Sequence, residues 1–443
     1  MSEPPEQVRL GLVAVSSPLE VGAGDAPALL AALGDAFAQA GCERLVTFCS
    51  TQPVSDPVSA VAAGRHFYDQ RVDAICVVAA SWYEDYLVLD LLEECQVPLI
   101  TWARPGMETG SLCGMQQLCF VLKALGHPYL FLFDEPASAS ARARALDFAL
   151  AASLRRRLRR ARIGYLGHRV EGMTETTPHE LALKRVFGAR VVGLDTQVFV
   201  QRAAQVSPDS VADDWQRIKR QVGRITSAEE AGIDSLQVQR AMAETFREHG
   251  LSAVAVGCYP HLMGRVCLAA SLLGEQGLPV GCEGDVNGAL GMLMLTHLTG
   301  APVHNTDLLD PLPADNAIVF SHCGSGGFSL APSREAITLG PVRLMNCGLC
   351  VLFVAKPGPV TLINLVPALD SYRLAILYGE AIEGDMVFPG NPLWVRFAPD
   401  YREVLEWIAA EGLGHHWMAA YGDLRRPLLD FAAMVGCQTT AMG

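Results

Sequence analysis

The feature that most constrains this chain is an alternation of apolar, strand-like runs with helical segments that persists to about Pro311 and then changes rhythm. Apolar runs at 8–16, 45–49, 74–79 and 97–101 have the length and β-branched content of buried strands. Between them, 26–39, 54–68 and 81–95 carry helical periodicity, with Gly41 placed to end the first helix. Strands alternating with helices predict a parallel sheet with crossover helices, hence a doubly wound α/β domain. A second such unit is expected from Arg162: strands at 163–166, 190–194 and 253–257, helices at 178–187 and 263–276, and two or three helices across 203–247. Beyond Pro311, short strands at 317–322, 341–345, 351–355, 360–366, 372–380 and 393–397 are separated by Gly/Pro turns, the spacing of an antiparallel sheet or barrel. A helix at 401–410, a GHHW turn and a helix at 424–435 close the chain. The expected organisation is an N-terminal α/β domain (1–158), a central α/β domain (159–312) and a β-rich C-terminal domain (313–443).

Several function classes are disfavoured. A net charge of −13 over 443 residues argues against a nucleic-acid surface, which needs clustered Lys and Arg. The densest basic run, RRRLRRAR at 155–162, reads as the exposed face or end of a helix. No glycine-rich fingerprint follows the first strand, and Gly22-Ala-Gly24 comes too late for a dinucleotide site. The thirteen cysteines, among them Cys49, Cys76, Cys119 and Cys267, sit mostly in apolar segments, as reduced buried thiols do. The acidic, Pro-rich start lacks a basic n-region. The longest apolar candidate, 253–274, is broken by His261 and Arg265, so neither a membrane span nor export is expected and a cytoplasmic location is.

The segment richest in chemistry is 281–310, GCEGDVNGALGMLMLTHLTGAPVHNTDLLD. A strand-like run enters Glu283 and Asp285 at a glycine-rich turn, and an apolar helix follows at 289–299. Carboxylates at a strand's carboxyl end stand where α/β sheets hold ligands. Asp307 follows 24 positions after Glu283, past the helix. The plainer alternative is that Asp285 and Asn287 cap a helix while Glu283 is solvated. His322 in SHCGSGG and His415-His416 in GLGHHWM add nitrogen donors. Two carboxylates with one or two histidines suit Mn²⁺, Mg²⁺ or Co²⁺ better than a thiolate-seeking ion.

CEGDVNGALGMLML…TG…D resembles the signature of the L-fucose/L-arabinose isomerase superfamily, in which a metal-binding glutamate precedes N-G-x-x-M-L-M and a T-G pair, and a metal-binding aspartate follows. The resemblance is specific in order and spacing over 253–329, fair over 411–436 and architectural elsewhere. It implies Glu283 and Asp307 as the catalytic acid/base pair and as metal ligands, with His416 as the last ligand. His322 is similar in position to a further histidine ligand of L-arabinose isomerases; L-fucose isomerases use three protein ligands. The implied activity is that of a ketol isomerase, an intramolecular oxidoreductase interconverting an aldose and a ketose through an ene-diol. The ion polarises the carbonyl and stabilises the ene-diolate charge. The resemblance also implies a homo-oligomer, a trimer or hexamer, with active sites shared between subunits. The loops at 172–177 and 111–114 are candidates to reach such a site, with Met173 and Trp417 as substrate contacts; ordinary strand-to-helix loops are the alternative. An epimerase, an isomerase of a modified sugar and a non-catalytic sugar-binding protein on the same fold stay open. Cys347-Gly-Leu-Cys350 has no second pair for a zinc ribbon, and Cys323 beside His322 points to the opposite strand face, so neither carries an expected function.

Overall fold

Strand β1 (Val8–Val15) is buried along nearly all its length, as a central strand covered on both faces must be. In this computed structural model, which describes residues 7–39, 42–368 and 370–443, β1 lies between β2 (Leu45–Cys49) and β3 (Ala74–Ala79). The expected helix stop at Gly41 and the first six residues lie outside the described residues. Strands β4 (Leu99–Ala103) and β5 (Tyr129–Phe133) complete a parallel sheet of order β2-β1-β3-β4-β5. Helices α1 (Ala26–Ala38), α2 (Pro57–Asp69), α3 (Tyr86–Glu94), α4 (Ser111–Ala124) and α5 (Ala139–Leu158) connect the strands and continue the chain. Asp56 starts α2 by accepting hydrogen bonds from the Val58 and Ser59 amides, and Pro57 occupies its first turn. At the α2–α3 crossing a Cβ on Gly64 would lie 2.5 Å from the Leu91 carbonyl oxygen, so glycine lets the helices meet.

The chain clusters into two compact units, one running to Arg157 and including 426–435, the other spanning 158–425 and 436–443. Helix α13 (Arg425–Val435) therefore belongs almost wholly with the first sheet, where Arg144 donates to Asp430 over 2.6 Å. The basic run closes α5 as expected, with Arg159 and Arg160 exposed, while Arg156 is ion-paired with the buried Asp73. All thirteen cysteines are free, but Cys49 is exposed and Cys119 half-buried, not buried as expected. Each lies on an element with one face turned outward.

The second unit contains two sheets and a short ribbon. Strands β6 (Arg162–Leu166), β7 (Arg190–Leu194), β9 (Ala253–Val256) and β10 (Val280–Gly281) form a parallel sheet of order β10-β9-β6-β7. Helices α6 (Glu180–Val186), α7 (Thr196–Gln205), α8 (Asp209–Lys219), α9 (Glu229–His249), α10 (Cys267–Gly274) and α11 (Val286–Thr299) intervene. Strand β8 (Arg224–Ile225) pairs with β13 (Thr338–Val342), and β13 with β14 (Cys347–Leu352). The second sheet is an antiparallel barrel: β15 (Gly358–Ala368), β18 (His416–Tyr421), β11 (His304–Leu312), β12 (Ala317–Ser321), β17 (Leu393–Arg396) and β16 (Ser371–Ile382), closed by β15–β16 pairing. Strand β19 (Gln438–Met442) adds to β16 in parallel, and α12 (Tyr401–Ala410) precedes β18. The fold is thus α/β sheets joined to a β-barrel. Among the described residues no helix is long and apolar enough to cross a membrane.

Candidate active site

The site begins where β10 ends. Glu283 (φ 59°) and Gly284 (φ 70°) both take left-handed backbone conformations. Glycine is required at 284, because a Cβ there would lie 2.5 Å from the His168 carbonyl oxygen. Glu283 is a non-glycine residue held in a conformation that L-residues avoid, a feature concentrated at functional sites. Asp285 then starts α11, its Oδ1 accepting the Gly288 amide over 2.9 Å. Nearly every residue of α11 is buried, so the helix is locked against rotation and fixes the turn that precedes it.

The facing wall comes from the barrel. Asp307 on β11 is in register with His416 on β18 and Ser321 on β12, and His322 follows directly after β12. His416 Nε2 lies 3.2 Å from Glu283 Oε2 and 3.4 Å from Asp307 Oδ1. His322 Nε2 lies 3.7 Å from Asp307 Oδ1 and 4.0 Å from Glu283 Oε2. Glu283, His322 and His416 offer donor atoms within 4.8 Å of one another, as do Asp307, His415 and His416. The four residues implied as ligands therefore converge.

The electrostatics are those of a strongly coupled cluster. Burial alone would raise the Glu283 carboxyl, but the His416 hydrogen bond and the charges of His322, His416 and His415 hold it below its usual range. Burial would lower His416, yet Asp285, Glu283 and Asp307 raise it to about 10. His322, also opposed by burial, is raised to about 9, chiefly by Asp307. In spite of this, Asp307 Oδ1 and both ring nitrogens of His322 are buried without a hydrogen-bond partner among the described residues. Buried polar atoms are normally satisfied. Orphaned oxygen and nitrogen donors converging on one point fit a borderline divalent cation.

Some neighbouring residues were not legible as site residues. Asp285, read from sequence only as a candidate cap, also contacts His416 Nδ1 over 2.9 Å. Glu175 Oε1 lies 2.7 Å from His415 Nδ1, accepting from the ring N–H, and ties the 172–177 loop to the start of β18; no pattern around Glu175 signals this. Met173 is half-buried in that loop, its carbonyl accepting from Thr176. The segment 111–114 is not a loop but the first turn of α4. Trp417 does not line the site: it is fully buried, packed against Phe320 and Trp407. Successive strand residues face opposite ways, so His416 and Trp417 cannot share a face.

No family model matches the chain. The sulfoquinovose isomerase of Alkalicoccus urumqiensis is 26% identical over 373 residues, covering 82% of this chain and 84% of that protein. The sulfoquinovose isomerases of Priestia aryabhattai and Priestia megaterium are each 24% identical over 424 residues, 92% of this chain and 95% of theirs. The similarity to the two Priestia proteins therefore extends into both compact units.

Proposed function

We propose that this protein is a divalent-metal-dependent aldose–ketose isomerase of the L-fucose/L-arabinose isomerase type, acting on an anionic aldose such as sulfoquinovose. The observation that carries the metal dependence is the convergence of Glu283, Asp307, His322 and His416, with orphaned buried donor atoms on Asp307 and His322. Isomerase activity is supported by similarity to sulfoquinovose isomerases over most of both chains. Glu283, Asp307 and His416 would hold Mn²⁺, or Mg²⁺ or Co²⁺, with His322 as a fourth donor. Such an ion supplies polarisation of the sugar carbonyl and stabilisation of the charge that develops on the ene-diolate.

The protein's own part is proton transfer. Moving a carbonyl between C1 and C2 removes a weakly acidic C–H proton from one carbon and delivers a proton to the other. Two carboxylates flanking one histidine nitrogen are placed to do this, one taking the proton and the other returning it. The depressed Glu283 carboxyl stays ionised and is ready to accept. A charged substrate is favoured by Arg169. Its backbone abuts the Glu283–Gly284 turn, and its guanidinium donates to the Val170 carbonyl but forms no ion pair among the described residues. An arginine pairs well with a sulfonate, so this reading assigns Arg169 to the anionic end of the sugar. As in the resembling family, a homo-oligomer with shared sites is part of this reading.

The test is product identification by NMR after chelator-stripped protein is assayed with and without Mn²⁺ on sulfoquinovose, L-fucose, L-arabinose, D-arabinose and L-rhamnose. Conversion of sulfoquinovose to its ketose is expected. A 2-epimer as the sole product would move the chemistry to epimerisation, and conversion of only neutral sugars would remove the anionic-substrate reading.

A further inference from the structure

We propose that Asp285 is a positioning residue that sets the tautomer and direction of His416 for metal binding, and that its role as the cap of α11 serves this end. The inference rests on the metal reading above and extends it to a residue outside the ligand set.

Both oxygens of the Asp285 carboxylate are committed. Oδ1 accepts the Gly288 amide at 2.9 Å, and Oδ2 meets His416 Nδ1 at 2.9 Å. An ionised carboxylate only accepts hydrogen bonds, so the proton between Oδ2 and Nδ1 belongs to the ring. A neutral His416 therefore carries its hydrogen on Nδ1 and its lone pair on Nε2, the nitrogen that faces Glu283 and Asp307. Without this contact either tautomer is open to the ring, and the alternative one places an N–H where an ion would sit. Asp285 and His416 are each 5% exposed, so water does not compete for the contact.

The local sequence is arranged around this double use. A capping box places Glu or Gln at the third helical position, but here that position is Gly288. A Cβ on Gly288 would lie 2.6 Å from Asp285 Oδ2 and 2.7 Å from the Met418 methyl. Glycine therefore keeps open the path along which Oδ2 reaches β18. A residue serving only as a cap has no need of that path, and Ser or Asn would cap equally well.

The experiment measures Mn²⁺ affinity by calorimetry on the full chain for wild type, Asp285→Asn, Asp285→Ser, His416→Gln and the Asp285→Ser/His416→Gln double variant. Far-UV circular dichroism and apo melting are recorded in parallel. Asn and Ser both retain the cap, which keeps the variants folded. The expected result is a 10- to 100-fold weaker Mn²⁺ affinity for both Asp285 variants, the range typical of residues that orient a metal-bound histidine. No further loss is expected when Asp285→Ser is added to His416→Gln. Wild-type affinity in both Asp285 variants overturns the proposal, as does an equal loss in the His416→Gln background, which would mean that Asp285 acts through the fold. If wild type itself binds no Mn²⁺, the metal reading falls first and this proposal with it, an outcome distinct from the other two.

Discussion

Replacing Glu283 by alanine and by glycine, in parallel, separates what the side chain does for the site from what its backbone does to the fold. Both variants lose the carboxylate and its 3.2 Å contact with His416, so that loss cancels between them. What differs is the response to φ 59°. A left-handed conformation costs a non-glycine residue roughly 1–2 kcal/mol, while glycine in ordinary backbone is about 0.5–1 kcal/mol less stable than alanine. The usual order should therefore invert, with Glu283→Gly more stable than Glu283→Ala by about 1 kcal/mol. For a unit of this size that is a rise in melting temperature of roughly 2–4 °C. The assay is thermal melting of both variants after chelation, so that metal binding does not contribute, with turnover measured on the same preparations. Both should be inactive. Equal melting temperatures, or alanine above glycine, would refute the claim that the site holds its glutamate in a strained backbone.

Other consequences are as direct. His304 is buried with neither ring nitrogen hydrogen-bonded among the described residues, and burial together with Lys356 lowers its pKa from 6.5 to about 3. The unfolded chain then binds a proton below pH 6.5 that the folded chain refuses, so stability falls as pH falls through that window. Relative to His304→Phe, the wild type should lose about 2 kcal/mol between pH 6.5 and about pH 5, measurable by urea unfolding; parallel pH profiles would count against it. Trp417→Ala should destabilise by about 3–5 kcal/mol through a core cavity, whereas Trp417→Phe should leave KM unchanged; a raised KM in the latter would return Trp417 to the substrate site. Mn²⁺ at a hundred times its dissociation constant should stabilise the apo protein by about 2.7 kcal/mol in melting experiments, and His416→Gln should reduce that shift.

How far the sequence reaches can be judged element by element. Strands β1, β2, β3 and β7 and helix α12 match the expected segments within about a residue, because each is apolar on a clear period and bounded by turn residues. Helix α5 escaped because its buried face is mostly alanine, at Ala141, Ala145, Ala149 and Ala152, which gives almost no periodic contrast. Strand β11 escaped for a different reason: HNTDLLDPL opens on four polar residues and carries a proline, so it does not read as a strand. Its omission matters, since Asp307 reaches the cluster from the barrel and not from the edge of the α/β sheet. Glu283, Asp307, His322 and His416 were legible because family spacing marks them. Glu175 and the second use of Asp285 depend on contacts with residues 240 and 131 positions away, which no local pattern encodes.

The most direct test of the central claim is turnover of sulfoquinovose by chelator-stripped protein as Mn²⁺ is added back, with Asp307→Asn titrated alongside. The account predicts no ketose without metal, activity that saturates near one ion per chain, and an Asp307→Asn protein slowed by about 10²–10⁴-fold even when fully loaded. Turnover that survives complete metal removal, or an Asp307→Asn protein as fast as wild type, would contradict it.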